Sequence, residues 1–449
     1  NGSTGTITGN LTGSAALEIN STQTNNNGTI TLAGNGSSFT GPITVPQGRL
    51  NISGSVGGNV SVIDGATLGG EGAIGGHLIL GGSSPANWNV NPATAGALAV
   101  TGNVSITGVT PVSFSASPTA TGTITLLTYG GTFTGTVSDL VIANEFSYRT
   151  ANFADTGSAI TLSLSNKNLS WTGSVDGLWD LGVSANWTDG AASAFYWADN
   201  VLFPDGASNT NITLAGGNLA PASITFPANA TGYTLTASGA NQITGTTSVV
   251  KTGTGLLTMA GANAYTGGTT LSKGETRVRT AGTLGTSTVT LGDANTGTNN
   301  VALYLDTNRV NFGTAVVVTN NGTGTMTLGS RSTVTGNGDN NQFTNITLQR
   351  DVIFDSNATD RTDYENIAGT GNIRVTGDGR TVFPNANTFV GNLTIATSAD
   401  ASGLQLGTNS APFNAIPDAS NVTVEAGGKL SLSYTANGTE TISGLFGAG

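Results

Sequence analysis

The chain contains no cysteine. Disulfides, thiolate metal sites and a cysteine nucleophile are therefore excluded, and stability has to come from packing and backbone hydrogen bonds. It contains one histidine, His77. Any Ser–His–Asp triad must use that residue, and a histidine-based zinc site lacks ligands. Charge is scarce too: 9% of residues, with 14 Lys and Arg against 25 Asp and Glu, for a formal net charge of −11. Binders of nucleic acid need clustered cations to meet phosphate, so that partner class is excluded. The same deficit excludes electrostatic docking to anionic lipid.

Long apolar runs are missing. None reaches the roughly 18 residues that a spanning helix needs, which argues against direct membrane insertion by this segment. No signal-peptide pattern is found. Helical periodicity is almost absent, since no segment of about ten residues keeps apolar positions at a 3.6-residue period.

What is abundant is glycine, 67 of 449 residues, together with Thr, Asn and Ser; apolar residues make up 37%. They form short runs alternating at period 2, bounded by Gly and Asn, which is the signal for strands and tight turns. Between 50 and 110 the pairs Val60/Val62, Leu78/Leu80 and Val104/Ile106 recur at intervals close to one turn of a stacked-rung fold. Such strands are too short to bury a core alone and are stable only when stacked on copies of themselves.

The clearest unit is 251–274, KTGTGLLTMAGANAYTGGTTLSKG. Leu257 and Met259 alternate on a strand that stops at Gly261. Tyr265 follows a polar turn, Gly267 and Gly268 form a corner, and a second strand through Leu271 closes at Gly274. Residues 27–50 repeat it, with Ile30, Leu32, Phe39, Gly41, Val45 and Gly48 in the equivalent places. A looser copy spans 370–395, with Ile373 and Val375 on the first strand, Phe389 as the aromatic, Gly391 as the corner and Ile395 on the second strand. The 251–274 stretch resembles the autotransporter-associated β-strand repeat of passenger regions in very long surface proteins of Gram-negative bacteria. That resemblance implies a right-handed parallel β-helix exposed outside the cell, and it brings no catalytic residues.

The expected fold is thus all-β, a right-handed parallel β-helix or solenoid of Gly/Thr/Asn-rich rungs. Roughly 20 turns of about 22 residues would make a rod on the order of 100 Å long. We expect rungs over 1–166 that end one module, a tryptophan-rich module entry plus rungs over 167–250, and rungs over 251–449. Residues 111–166 read as wider rungs or a closing rung, with Phe146, Tyr148 and Phe153 adding bulk. The pattern is already running at Asn1 and still running at Gly449, so we expect a slice of a longer polypeptide. A processed subunit that stacks end to end is the alternative.

Few residues offer chemistry. His77 sits between glycines and Leu78 with no acid nearby, and reads as an exposed rung residue. Acids at Asp351, Asp355, Asp360, Asp363 and Glu365, with Arg350, Arg361 and Arg374, are the candidates for the carboxylate chemistry of polysaccharide-cleaving β-helices, but no Asp-Asp pair, basic motif or histidine of the kind such enzymes use is found. A solvated loop explains them better. The oxygen-rich sets Asp293, Asn295 and Asn299, and Asp351 with Asp355, are weak candidates for structural calcium; no other cofactor is expected. Trp171, Trp179 and Trp187 fall at equal spacings of eight, and Trp197 follows. They form either a local core or a sugar-stacking face, although Gly173, Gly177 and Gly182 interrupt the latter. Sequons such as Asn51, Asn59 and Asn103 read as outward polar positions and turn ladders.

Three functions are carried forward. The first is a non-enzymatic extracellular segment of a stalk, fibre or filament, whose partners are copies of itself or neighbouring parts of the same chain. The second is an adhesin for glycans or other cells, and the third a polysaccharide-active enzyme. All three place the chain at the surface of a Gram-negative-type bacterium or outside it.

Overall fold

The period-2 runs become strands of between two and eight residues. A computed structural model describes residues 3–20, 28–91, 97–115, 122–143, 149–307, 309–331, 340–356, 361–396, 403–407, 415–432 and 439–447. The chain is all-β and builds parallel β-helices. Most strands bond to the strand one turn earlier and the strand one turn later, so the sheets run along the stack. Among the described residues the helical content is a single short 3-10 turn, Val137–Asp139. Two compact units result, residues 1–166 and 167–449.

The first unit has three sheets. Successive segments Ile43–Val45, Arg49–Ile52 and Ser55–Val56 contribute one strand to each, and the chain returns to the first sheet at Val60–Val62. The apolar pairs seen in the sequence stack in register: Leu78 lies on Val60 and under Val104, and Leu80 lies on Val62 and under Ile106. All six are buried. Stacking like on like fills a narrow interior, because each layer presents to the next a surface of its own shape. The turns are not of one length: Ile43 is in register with Val60, 17 residues on, whereas Thr110 is in register with Leu140, 30 residues on.

Parallel pairing ends at one sheet of this unit. Strand Ala159–Ser165 runs antiparallel to Gly122–Tyr129, with a bulge between Thr125 and Leu127, and Thr150–Asp155 runs antiparallel to Ala159–Ser165. These two strands cover an edge that would otherwise offer bare N–H and C=O groups. Phe153 is half-buried there; Phe146 and Tyr148 lie outside the described residues.

The second unit begins with two long sheets, of 11 and 12 strands, and acquires a six-stranded third sheet from Asn311–Phe312 onward. No break falls at residue 250, which lies inside strand Ser248–Lys251. Columns such as Val289–Val316–Ile346–Ile367 fill the interior. The third sheet adds aromatics: Phe312 stacks in register on Phe343, and Phe343 on Tyr364. Tyr364 lies parallel to Phe354, ring centroids 4.0 Å apart.

The interior is not wholly apolar. Ser330, Ser356, Thr362 and Thr381 are all fully buried. Thr362 Oγ1 donates to Ser330 Oγ at 2.7 Å, and the Ser356 and Thr381 hydroxyls pair at 2.7 Å. Buried hydroxyls that bond to one another escape the cost of an orphaned polar group.

Candidate functional site

The repeat motif occupies the interior and corners of a rung. Leu257 and Met259 point inward from strand Leu257–Ala260, and Leu271 from Thr269–Leu271 in the neighbouring sheet. The chain then turns at Gly274 into Gly274–Val278, back in the first of these sheets. Tyr265 fills the bend between the two sheets. It is 0% exposed, and its hydroxyl lies 2.6 Å from Thr269 Oγ1, which donates onward to Leu284 O. The corner glycines stand where backbones nearly touch. A Cβ on Gly267 would sit 2.3 Å from Thr246 O and 2.4 Å from Thr247 O. Gly261 combines a φ of +81° with a Cβ position 2.0 Å from Ala237 O. Gly268 occupies the same corner as Gly267.

The 27–50 copy has the same topology. Thr29–Leu32 and Arg49–Ile52 share one sheet, and Ile43–Val45 belongs to the next. Leu32, Phe39 and Val45 are buried, and Gly41 packs against Ala15 O. The 370–395 stretch departs from it. Ile395 pairs with Val375 within one sheet, so it answers to the strand after Gly274 and not to Leu271. The stretch is longer because Arg380–Phe383 of the third sheet is threaded between Val375 and Phe389.

One unforeseen group belongs to the central copy. Lys251 is 1% exposed. Its Nζ donates to Gly253 O at 2.7 Å and to Lys273 O at 2.6 Å, which ties one corner to the next. Burial pulls its ammonium down to about 8, with Glu275 acting weakly the other way. In sequence it reads as an ordinary surface lysine.

The tryptophans close the entrance of the second unit. Trp171, Trp179 and Trp187 are 1%, 0% and 1% exposed. The sugar-stacking reading of these three is therefore corrected, because a buried ring presents no face to a ligand. The eight-residue spacing continues into Phe195 and Phe203, both fully buried, and all five rings pack together. Trp197 lies off that series, is half-buried and bonds through Nε1 to Asn218 O at 3.1 Å. Asn168–Trp171 pairs antiparallel with Trp187–Thr188, which pairs antiparallel with Ala192–Ser193.

Two buried polar residues that the sequence did not single out hold this entrance. Asn186 Oδ1 accepts from the Val175 and Asp176 amides, and its Nδ2 donates to Asp176 Oδ1 and Leu178 O. Asp199 accepts from the Lys167 and Tyr196 amides, at 2.8 Å each. The signal available was that Asn186 directly precedes Trp187; nothing in the sequence marked Asp199.

His77 is part of a corner ladder. Its amide donates to Asn59 Oδ1 at 2.8 Å, and its Nδ1 accepts from the Asn103 amide at 2.8 Å. Asn103 Oδ1 then accepts from the Thr132 amide. Histidine thus does in one rung what asparagine does in the rungs on either side.

The acids are dispersed. Asp355 lies on Val352–Ser356 and Asp363 on Arg361–Tyr364, strands of different sheets. Asp355 accepts from Tyr304 and Thr376, and Asp351 from the backbone and side chain of Asn372. Asp363 is bridged by Arg361, yet burial still raises its pKa above the usual carboxylate range. Glu365 is also raised by burial and accepts from Gln342. Arg350 donates to three backbone carbonyls, and Arg374 to Glu425. Asp360 lies outside the described residues.

The calcium candidates are bonded internally as well. Asp293 accepts from the Asn295 amide and side chain, and Asn299 Nδ2 donates to Thr296 O. Among the described residues no three His, Asp or Glu side chains are grouped to hold a metal ion.

No curated protein and no solved structure matches the chain. The passenger-associated-transport-repeat model matches residues 25–52 and 249–278, which contain the two copies whose topology agrees. With one copy in each unit, the chain carries the passenger-associated-transport repeat, the repeat of autotransporter passenger regions.

Proposed function

We propose that the chain is a non-enzymatic structural segment of a long surface protein of a Gram-negative-type bacterium, forming part of a stalk, fibre or filament outside the cell. The observation that carries this reading is the use made of the chemistry-bearing side chains. His77 serves the corner ladder, Asp351 accepts from Asn372 one rung on, and Arg350 donates to carbonyls of Asn321, Gly322 and Gly324 one rung back. Groups spent on holding rungs together support a mechanical role. The mechanism is continuous hydrogen bonding along the stack, so that the length of the segment follows from the number of rungs. Its partners are neighbouring parts of the same polypeptide or further copies of itself.

Immuno-electron microscopy of cells bearing the protein tests this. Label is expected on fibrous extensions from the surface, and purified protein is expected to release no products from acidic or neutral polysaccharides. Label confined to the cell interior, or product release, would overturn the reading.

A further inference from the structure

Far from the tryptophan entrance, the second unit carries a groove of about 680 Å³ on the outer face of its 12-stranded sheet. That volume lies in the range of small-molecule sites. Its floor is a column in register across five strands: Ile353, Arg374, Thr394, Thr423 and Phe446. Along its side runs a corner ladder. Asp351 Oδ1 accepts from the Asn372 amide, Asn372 Oδ1 from the Asn392 amide, and Asn392 Oδ1 from the Asn421 amide.

The ladder pins the oxygen of Asn392 and leaves its Nδ2 without a partner among the described residues. The Thr394 and Thr423 hydroxyls beside it are likewise unbonded. Thr394 and Thr423 lie one rung apart, about 4.8 Å, and Asn392 adjoins Thr394 within its rung. Amides and hydroxyls in a row complement a ligand that itself presents rows of hydroxyls, since both sides donate and accept. At one end the Phe446 ring is 57% exposed and supplies an apolar face.

Charge narrows the ligand further. Arg350 is satisfied by the carbonyls of Asn321, Gly322 and Gly324, and Asp351 by Asn372. Arg374 pairs with Glu425 through two bonds, of 2.6 and 2.8 Å. The groove therefore holds no uncompensated charge to select an ion.

We propose that this groove binds a neutral oligosaccharide laid along the rung axis, with sugar hydroxyls on the Thr394–Thr423 column and the adjoining Asn392 and a sugar ring on Phe446. This is a binding activity additional to the structural role. Absence of binding would leave the stalk reading standing, and absence of stalks would leave this one standing.

The test is isothermal titration of the full chain with maltohexaose, mannohexaose and chitohexaose, and with hexagalacturonate as the anionic comparison. At least one neutral hexasaccharide is expected to bind saturably, and more tightly than hexagalacturonate. Phe446→Ala should weaken that binding about tenfold. Thr394→Val, which removes one hydroxyl at constant shape, should weaken it about threefold to tenfold. Trp197→Ala, away from the groove, should bind as the wild type does. The proposal is overturned if no neutral probe binds, if hexagalacturonate binds more tightly, or if Thr394→Val binds unchanged. The threonine variant keeps the test decisive should Phe446→Ala fail to fold.

Discussion

Trp171 and Trp187 oppose each other across an antiparallel strand pair, edge to face, with ring centroids 4.9 Å apart. Trp187 also packs on Trp179, Phe195 and Phe203, so it sits at the centre of the plug. Trp187→Ala should cost about 3–5 kcal/mol, the range for deleting a large buried aromatic. Trp197→Ala, half-buried at the margin, should cost less than about 1.5 kcal/mol. Denaturant melts of the two variants check this, and equal effects would contradict the difference in burial.

The corner at Gly267 leaves no room for a side chain. Gly267→Ala places a methyl against two carbonyl oxygens of the preceding rung. Because those oxygens are backbone, relief requires the rungs to separate, and a loss of about 3 kcal/mol or more is expected. Gly313 has open space at its Cβ position. Gly313→Ala should change stability by less than about 1 kcal/mol, and thermal melting of both variants distinguishes a packed corner from general intolerance of alanine.

Tyr265 and Phe39 occupy equivalent places, but only Tyr265 has a hydroxyl to bond Thr269. Tyr265→Phe should therefore keep the ring packing and lose about 1 kcal/mol. Tyr265→Ala should lose about 3–5 kcal/mol. A phenylalanine variant as unstable as the alanine one would show that the hydroxyl, and not the ring, sets the bend.

Lys251 gives the fold a pH signature. Its folded pKa, about 8, lies below the ordinary value of 10.5. The unfolded chain then binds the extra proton between those values, so stability rises as pH climbs above about 8 and is lost as pH falls back through it. Burial holds the Tyr265 hydroxyl well above its ordinary 10.0. That contribution is present below pH 10 and lost above it, which leaves pH 8–10 as the window for Lys251. Between pH 7.5 and 9.5 the wild type should gain on the order of 1–2 kcal/mol over Lys251→Met. Parallel urea titrations at the two pH values measure this, and equal gains would refute a buried ammonium.

His77→Asn should be nearly neutral, within about 0.5 kcal/mol. Asparagine supplies the same acceptor at Asn59 and Asn103 in the adjacent rungs. His77→Ala leaves the Asn103 amide without its acceptor and should cost about 1 kcal/mol. Calorimetric melts of the pair decide whether the ring has a role beyond accepting that bond.

The sheet architecture was legible because Val60, Leu78 and Val104 announce their stacking by spacing alone. Alternation states which residues share a face, and in a rung that face has one interior to enter. The interior's polar members were not legible. Thr362 and Ser330 have the composition of solvent-facing residues, and only the closure of one sheet on another reveals that they meet. Lys251 was hidden for the same reason, since its partners are backbone carbonyls, which no sequence pattern marks. The third sheet escaped notice because Phe312, Phe343, Tyr364 and Phe383 recur at uneven intervals. Ile395 was misplaced as a consequence, because the strand Arg380–Phe383 of that sheet intervenes before Phe389. The groove beside Asn392 depends on register between strands and could be seen only in three dimensions.

The antiparallel strands at Trp187–Thr188 and Ala192–Ser193 have a genetic consequence. A unit whose entrance carries its own stopper is a cassette. An in-frame crossover near Asn166 leaves the downstream rungs with a finished beginning. A crossover within Ser248–Lys251 severs a strand and bares a template for unwanted pairing. A unit closed in this way is expected to be gained or lost whole, with breakpoints just ahead of the aromatic series.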